Sequence, residues 1–248
     1  MIEQVINIAQ TAGSRILEIY DSNDFETRTK AEDDSPLTKA DLAANDSIIK
    51  GLSETFEHPI VTEESCVGYD IRRQWKKFWL VDPLDGTKDF LAKNGEFTVN
   101  IALIENAEPV LGMVYAPALE LMYWAKKGEG AYKDGQRILN NSNRTELIAA
   151  DSRFHSTGAT RAFLEKHNIK VIKRYGSALK LCKLAEGEID VYPRLNGTKE
   201  WDTAAGHIIA EEGGCKVIDI VTKEALAYNK EDMKNNFFIA SRKDLSFL

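Results

Sequence analysis

The chain has 248 residues, of which 43% are hydrophobic, and is long enough to bury a sizeable core as one large domain or two closely packed lobes. Its formal net charge of -7 argues against binding to a nucleic acid polymer, because contact with a phosphate backbone requires a basic surface. The three cysteines lack paired spacing, which favours neither a disulfide framework nor a zinc site.

The N-terminal residues show neither a basic segment nor the apolar segment of a leader, and no apolar run is long enough to cross a bilayer. We therefore expect a cytoplasmic protein with no integral membrane segment, for which peripheral association with the inner face of the membrane stays open. The sequence leaves monomer and homodimer equally open.

The first part of the chain predicts two helices followed by strands. Apolar residues recur at helical spacing over residues 2–20, and a second helix is expected to begin near Asp41. The polar stretch between them, residues 21–36, is predicted to be a mobile loop. An apolar run at 78–81 predicts a buried strand that ends at Asp82-Pro83. Further strands are predicted at 98–104, 110–115 and 121–125, with a tight turn at Asp134-Gly135.

After about residue 145 short strands alternate with helices, which is typical of an α/β lobe. The predicted strands cover residues 147–150, 171–175, 189–192, 217–220 and 237–240. The predicted helices cover residues 157–167, 178–186 and 203–212. Gly213-Gly214 would end the last of these helices.

The most specific pattern for function is the loop of residues 82–87. It places Asp82 and Asp85 three residues apart at a strand end, where Pro83 stiffens the backbone and Gly86 permits close approach. Such a loop can hold a hard cation, and phosphoryl transfer is the natural use of an oxygen-only ligand set, which favours Mg²⁺, Ca²⁺ or Mn²⁺ over zinc.

Three further carboxylates stand in other segments. Glu63 and Glu64 follow an apolar pair, and Asp202 stands at a predicted helix start. Taken alone, the glutamate pair is more typical of a solvated surface and Asp202 of a helix cap. Together with the loop of residues 82–87, they offer oxygen ligands from three separate segments.

These motifs resemble the lithium-sensitive, magnesium-dependent phosphatase superfamily that includes inositol monophosphatases and bisphosphate nucleotidases. The resemblance rests on Glu63-Glu64, residues 82–87, Trp201-Asp202 followed by Gly213-Gly214, and residues 38–41, and it covers nearly the whole chain. It implies a mixed α/β (α+β) fold, a layered αβαβα sandwich of the sugar-phosphatase type with two intimate lobes. Residues 1–145 would carry most metal ligands, and residues 146–248 would carry the substrate contacts and Asp202.

The resemblance also implies residue roles. Two or three Mg²⁺ ions would be bound by Glu63, Asp82, the Leu84 carbonyl, Asp85 and Asp202, and the same residues except Asp82 would adjoin the substrate. Thr87 with Asp41 would orient and deprotonate the attacking water, and Glu64 would help to hold water. The backbone amides of Gly86 and Thr87 would hold the scissile phosphate.

The second lobe offers candidate contacts for an anionic substrate. Ser177 and Lys180 stand where a strand turns into a helix, Arg194 closes a strand, and His155 follows the first strand of the lobe. Simpler structural roles stay open at this point. Ser177 could cap its helix, Lys180 could be solvated, Arg194 could be a rim salt-bridge partner and His155 could cap a helix.

Ser-Arg-x-His at 152–155, Gly-Ser-x-x-Lys at 176–180, Tyr-Pro-Arg at 192–194, and residues 94–100 and 201–207 resemble the bacterial 3'(2'),5'-bisphosphate nucleotidase branch. That resemblance implies hydrolysis of the 3'-phosphate of a small-molecule nucleotide, 3'-phosphoadenosine 5'-phosphate (PAP), by metal-activated water, with its 5'-phosphosulfate as a further candidate. Ser177, Lys180, Arg194 and His155 would contact the nucleotide and its second phosphate.

Two other functions stay open from the sequence. One is an inositol monophosphatase or broad sugar-phosphate phosphatase, although those enzymes usually have an acidic residue where Arg194 stands. The other is a non-catalytic nucleotide sensor, which the intact Asp82, Asp85, Thr87 and Asp202 disfavour. Residues 128–130 are interpreted as a turn because they lack the context of a nucleotide-binding loop.

Overall fold

The computed structural model describes residues 1–22, 24–29 and 36–247. The loop predicted at 21–36 therefore falls partly outside the described residues. Its described part contains two short antiparallel strands, β1 (Arg28–Thr29) and β2 (Pro36–Leu37). The helices are α1 (Ile2–Ser22), α2 (Lys39–Thr55), α3 (Tyr69–Arg72), α4 (Thr87–Leu91), α5 (Gly158–Lys166), α6 (Leu179–Ala185) and α7 (Glu200–Glu212).

The remaining strands form two larger sheets. The seven-stranded sheet contains β3 (Ile60–Thr62), β4 (Lys77–Asp85), β5 (Thr98–Glu105), β6 (Glu108–Ala116), β7 (Leu121–Lys126), β8 (Gly130–Lys133) and β9 (Gln136–Ile138), in chain order. Only its β3–β4 pair is parallel.

The five-stranded sheet contains β10 (Ile148–Ser152), β11 (Val171–Tyr175), β12 (Val191–Arg194), β13 (Cys215–Asp219) and β14 (Phe238–Arg242). Its spatial order is β11-β10-β12-β14-β13, and β14 runs antiparallel to both of its neighbours. The strands β10, β11 and β12 are parallel, so their carboxyl ends meet at one edge of the sheet.

These elements stack as five layers. Helices α1 and α2 cover one face of the seven-stranded sheet, because their apolar stripes, which include Val5, Ile16 and Ile48, face Trp79 and Ile101. Helices α6 and α7 lie between the two sheets within one continuous apolar core. Helix α5 packs on the outer face of the five-stranded sheet through Leu164. The predicted αβαβα sandwich is confirmed.

Several element boundaries differ from the predictions for identifiable reasons. Helix α2 begins at Lys39 rather than near Asp41, because Thr38 and Asp41 form a capping box in which the Asp41 carboxylate accepts the Thr38 N–H at 2.7 Å. Strand β4 does not end at Asp82 but continues through Pro83 to Asp85. A register shift between Asp82 and Asp85 gives the strand an irregularity where a proline is tolerated.

Helix α7 begins at Glu200, three residues before the predicted start, because the Asp202 carboxylate accepts the Lys199 N–H at 2.9 Å. The predicted end of this helix at Gly213 and the turn between β8 and β9 at Asp134-Gly135 are confirmed. None of the helices among the described residues has the length and apolar character needed to cross a membrane.

Candidate active site

A cavity of ≈ 300 Å³ lies where the ends of several strands meet the first turns of α4 and α7. Eleven of the thirteen residues predicted for the site line it: Glu63, Asp82, Leu84, Asp85, Gly86, Thr87, His155, Ser177, Lys180, Arg194 and Asp202. The other two, Asp41 and Glu64, do not line this cavity. The fold thus brings together residues that are separated by up to 139 positions in the sequence, from Glu63 to Asp202.

The irregular end of β4 supplies the acidic loop at the floor of the cavity. Asp82 is buried, and its Oδ1 accepts the Leu84 N–H at 3.1 Å. The Asp85 Oδ2 accepts a hydrogen bond from Asn100 Nδ2 at 3.2 Å, across the ladder to β5. The two carboxylates are therefore held by the backbone and by a neighbouring amide.

Gly86 makes this loop possible. Its φ is 89°, in the left-handed region, and a Cβ atom there would lie 2.1 Å from Ser177 Oγ. Both the backbone conformation and the space exclude a side chain. The turn into α4 therefore packs directly against Ser177, which follows β11 of the five-stranded sheet.

Thr87 and Asp41 are brought together as the sequence resemblance implied. Asp41 is 1% exposed, and its Oδ2 accepts hydrogen bonds from the Thr38 N–H and, at 2.6 Å, from Thr38 Oγ1. Its other oxygen, Oδ1, lies 3.4 Å from the Thr87 hydroxyl. Asp41 does not line the cavity itself but contacts Thr87, which does. Glu64 lies beside Glu63 at the end of β3 and is partly exposed.

The electrostatics of the acidic residues indicate an excess of negative charge. Burial, with a further contribution from Glu63, raises the pKa of Asp85 to about 6, against the opposing effects of Lys180 and Asn100. Burial, followed by the charges of Asp85 and Glu63, raises the pKa of Asp202 to about 8. These carboxylates repel one another, and a bound cation would offset that repulsion.

The oxygen donors suit Mg²⁺. Among the described residues no group of three or more His, Cys, Asp or Glu side chains is already arranged to hold a metal ion. Mg²⁺ needs only one or two protein carboxylates per ion, because water and substrate phosphate complete its octahedral shell. Asp82, Asp85 and Asp202, with the Leu84 carbonyl nearby, provide donors of that kind in one cavity.

The wall of the cavity beside the acidic floor is basic. Lys180 is 4% exposed, and its Nζ donates to the carbonyl oxygens of Ser177 at 2.6 Å and Tyr175 at 3.3 Å. Burial and, next, the charge of Arg194 lower the pKa of Lys180 to about 8. The interpretation of Lys180 as a solvated residue is wrong, because its ammonium group is enclosed beside the acidic floor.

Arg194 is held at the end of β12 without an acidic partner. Its Nη1 donates to Ser152 Oγ at 2.9 Å and its Nη2 donates to the Gly197 carbonyl at 3.1 Å. It forms no ion pair with any described residue, so the rim salt-bridge interpretation is wrong. Its Nε is buried without a hydrogen-bond partner among the described residues. The guanidinium is close enough to Asp85 and Asp202 to oppose the rise in the pKa of each, but because it forms no direct ion pair it can still contact an anionic ligand.

Ser177 does not cap helix α6. Its φ is 48°, and its hydroxyl lies within hydrogen-bond distance of two carbonyl oxygens, Asp85 O at 2.8 Å and Glu96 O at 2.7 Å. The helix itself begins at Leu179 and has no side-chain cap. Ser177 lines the cavity, but its hydroxyl hydrogen is directed to backbone carbonyl oxygens at the end of β4 and just before β5 of the seven-stranded sheet.

His155 is a neutral imidazole at neutral pH. Its pKa is lowered to about 4 by desolvation and by the positive charges of Lys88, Arg194 and Lys180. It does not cap α5, because Thr157 is the N-cap and its side chain accepts the Thr160 N–H. His207, by contrast, is buried outside the cavity and hydrogen-bonds with Tyr228 at 2.8 Å.

Other residues of the site were not predicted as members. Lys88, Asp89, Arg153 and Phe154 line the cavity, and Asn100 supports Asp85. Glu96 lies just behind the wall and accepts bidentate hydrogen bonds from Arg153 at 2.8 and 3.0 Å. Glu96 belongs to the motif at 94–100 and Arg153 to the motif at 152–155. Only the fold shows that these two motifs meet.

An acidic floor that suits Mg²⁺ and a basic wall beside it, at strand ends of an αβαβα sandwich, indicate a phosphatase acting on a small anionic ester. The model of the "Inositol monophosphatase family" matches residues 1–245, and the chain belongs to this family. The family predicted from the motifs is thereby confirmed.

Named relatives are similar over most of the chain. The 3'(2'),5'-bisphosphate nucleotidase CysQ of Salmonella typhimurium is 43% identical over 224 residues, covering 88% of this chain and 90% of the relative. The CysQ of Escherichia coli K12 is 41% identical with the same coverage. The crystal structure of CysQ from Bacteroides thetaiotaomicron matches with a TM-score of 0.87 and 41% identity, covering 98% of this chain and 97% of that one.

Proposed function

We propose that this protein is a Mg²⁺-dependent 3'(2'),5'-bisphosphate nucleotidase that hydrolyses the 3'-phosphate of PAP to give AMP and phosphate. The observation that carries the proposal is that the cations Lys180 and Arg194 adjoin the acidic floor in the same cavity. Such a cavity suits a substrate with two phosphates, because it offers both metal-binding oxygens and cationic groups. The CysQ relatives bear the name of this activity.

The floor would receive the scissile phosphate. Glu63, Asp82, Asp85, Asp202 and the Leu84 carbonyl would hold Mg²⁺, which supplies charge neutralisation for the phosphate and lowers the pKa of water. The family is generally metal-dependent, and we propose that this protein binds two or three ions. Removal of the metal is therefore expected to abolish turnover.

The residues of the first turn of α4 would prepare the attack. The Thr87 hydroxyl can donate its hydrogen to Asp41 Oδ1, which lies 3.4 Å away, and its lone pairs then accept a hydrogen bond from the attacking water. The backbone amides of Gly86 and Thr87, at the start of the same helix, would donate to the phosphate as negative charge develops. Glu64 is proposed to hold a neighbouring water.

The wall would recognise the rest of the nucleotide. Arg194 and Lys180 would neutralise the second phosphate, and the neutral His155 can accept or donate a hydrogen bond without adding charge. Ser177 would adjoin the ligand mainly through its backbone, since its hydroxyl is directed to two carbonyl oxygens. The expected cytoplasmic location and the choice between monomer and homodimer stay predictions.

The test is phosphate release from PAP, its 5'-phosphosulfate and inositol 1-phosphate, each measured with Mg²⁺ and after chelation. We expect kcat/KM for PAP to exceed that for inositol 1-phosphate by at least about tenfold, the value of one charge-assisted hydrogen bond. Greater activity on inositol 1-phosphate would overturn the nucleotide assignment and retain the phosphatase. Absence of release from all three would favour the sensor, and activity after chelation would overturn the role of Mg²⁺.

A further inference from the structure

A short loop before β5 connects the acidic floor to the second sheet. Asn94 organises the loop, since its Nδ2 donates to Asp89 Oδ1 at 2.6 Å and its Oδ1 accepts the Glu96 N–H at 2.9 Å. Asp89 belongs to α4, the helix that begins at Thr87. The position of Glu96 is thus tied to the helix that follows the acidic loop.

The Glu96 side chain contacts both turns of the second sheet that line the basic wall. Its carboxylate accepts Arg153 Nη2 at 2.8 Å and Nε at 3.0 Å, and its Oε2 also accepts the Gly176 N–H at 2.7 Å. Arg153 lies in the turn that carries His155, and Gly176 lies in the turn that leads to Lys180. One carboxylate, 17% exposed, therefore holds two turns that adjoin the ligand cavity.

The contact between the 94–96 loop and the second turn is close. A Cβ atom on Gly176 would lie 2.6 Å from the Glu96 carbonyl oxygen and 2.7 Å from Asp89 Cγ. Ser177 Oγ, the next residue, bridges the carbonyl oxygens of Glu96 and Asp85. A shift of Glu96 would therefore move the turn that leads to Lys180 relative to the acidic loop.

Arg153 lines the cavity, but its charge is already matched. Glu96 holds it in a bidentate pair, and Asp89 lies 4.0 Å from its Nε. A guanidinium fixed in this way positions the backbone of its turn and has less charge to offer to a phosphate than Arg194 has. The pair accordingly acts on the ligand through the turns that it connects.

We propose that Glu96 is a positioning residue for nucleotide binding, which sets the turn carrying His155 and the turn leading to Lys180 at the distance from the acidic floor that a bisphosphate nucleotide requires. This inference rests on the proposed function and deepens it. The Glu96–Arg153 pair would then increase the affinity for ligands that reach the basic wall. An ester that occupies only the floor would be much less affected.

The experiment compares Glu96→Gln, Arg153→Gln and the double variant with wild type. Glu105→Gln is the matched control, because it removes a carboxylate paired with Lys77 at the far end of β5. We measure KM and kcat for PAP and for 4-nitrophenyl phosphate, the dissociation constant of AMP by titration calorimetry, and the melting temperature.

For each single variant we expect KM for PAP and the AMP dissociation constant to rise about tenfold, with kcat changed less than about threefold. The double variant is expected to resemble the singles because the two residues act as a pair. Both constants for 4-nitrophenyl phosphate, and all constants of the control, should change less than about threefold.

Unchanged binding in Glu96→Gln would overturn the inference, as would an equal loss on both esters accompanied by a lower melting temperature, since that pattern indicates a merely structural role. A decrease in KM would also overturn it, because it would mean that Arg153 had been released to the ligand. Absence of PAP turnover by wild type refutes the proposed function separately. The AMP titration then still decides the role of Glu96, and wild type that fails to bind AMP would refute that role too.

Discussion

Replacement of Arg194 by alanine tests the basic wall most directly. The guanidinium has five N–H donors, of which one on Nη1 and one on Nη2 are used by Ser152 and Gly197, while Nε is buried without a hydrogen-bond partner among the described residues. The remaining donors would serve the second phosphate, together with a charge that also acts on Asp85 and Asp202 but is held in no direct ion pair. A hydrogen bond to a charged group contributes roughly 1.5–3 kcal/mol, so losing one lowers kcat/KM by roughly 10- to 150-fold.

The assay compares PAP with adenosine 3'-phosphate, which lacks the second phosphate. We expect Arg194→Ala to lower kcat/KM for PAP by that factor and to change the value for adenosine 3'-phosphate less than about threefold. Arg194→Lys keeps the charge but loses the planar fork of the guanidinium, so its kcat/KM for PAP should lie between the values of wild type and Arg194→Ala. Ser152→Ala is the control, because it removes a hydrogen bond of Arg194 without removing the charge.

Equal losses on both substrates would refute the reasoning, because Arg194 would then support the turn after β10 rather than recognise a second phosphate. An unchanged kcat/KM for PAP would refute it as well. If Ser152→Ala and Arg194→Ala lower the melting temperature equally, the lost stability comes from the hydrogen bond that the two residues share. The loss of kcat/KM in Ser152→Ala is then subtracted from the loss in Arg194→Ala.

Three more predictions concern the floor and the wall. Asp85→Asn should remain folded, with a melting temperature at or above that of the metal-free wild type, because the substitution removes one of several buried negative charges. It should also lose phosphate release, and near-normal turnover would contradict the role of Asp85 in metal binding. Gly86→Ala should lower the free energy of unfolding in urea by about 1–3 kcal/mol and abolish turnover, whereas Gly128→Ala, which has a similar positive φ but open space around it, should keep full activity. Because the pKa of Lys180 is lowered to about 8, the charge of its ammonium is lost as pH rises through that value, so KM for PAP should increase between pH 7 and 9, and Lys180→Met should remove this increase. In the ligand-free protein the same shift means that the unfolded chain binds more protons than the folded one above about pH 8, so the Lys180 contribution to stability should rise with pH up to the normal pKa of lysine, as checked by urea unfolding at several pH values.

The sequence predicted those helices and strands of the fold whose residues follow a local apolar pattern. The helical spacing of apolar residues located α1, and β-branched runs located β5 and β6, because burial of one face dominates their stability. The boundaries near the site were less predictable. Asp41 and Asp202 both sit three residues into a helix-start motif, where the carboxylate accepts a backbone N–H, and so each helix begins earlier than its apolar residues indicate.

Motifs predicted eleven of the residues that line the cavity, but they did not predict the contacts between them. Residues such as Asp85 and Lys180 carry chemistry that a motif shows, whereas the pairing of Glu96 with Arg153 depends on two strand ends that meet from different sheets. The role of Ser177 likewise depends on the carbonyl oxygens that its hydroxyl meets. Contacts of this kind have no sequence spacing, so only the fold shows them.

The position of β14 has a consequence for how the second sheet assembles. This strand, Phe238–Arg242, follows β12 and β13 in the chain, yet it lies between them in the sheet, and its Ile239 pairs with Pro193 beside Arg194. Until it inserts, β12 and β13 present unpaired backbone to other nascent chains. The basic wall, which includes the end of β12, would therefore take shape only after β14 inserts, and loss of residues 238–242 would leave the edges of β12 and β13 unpaired and prone to aggregation.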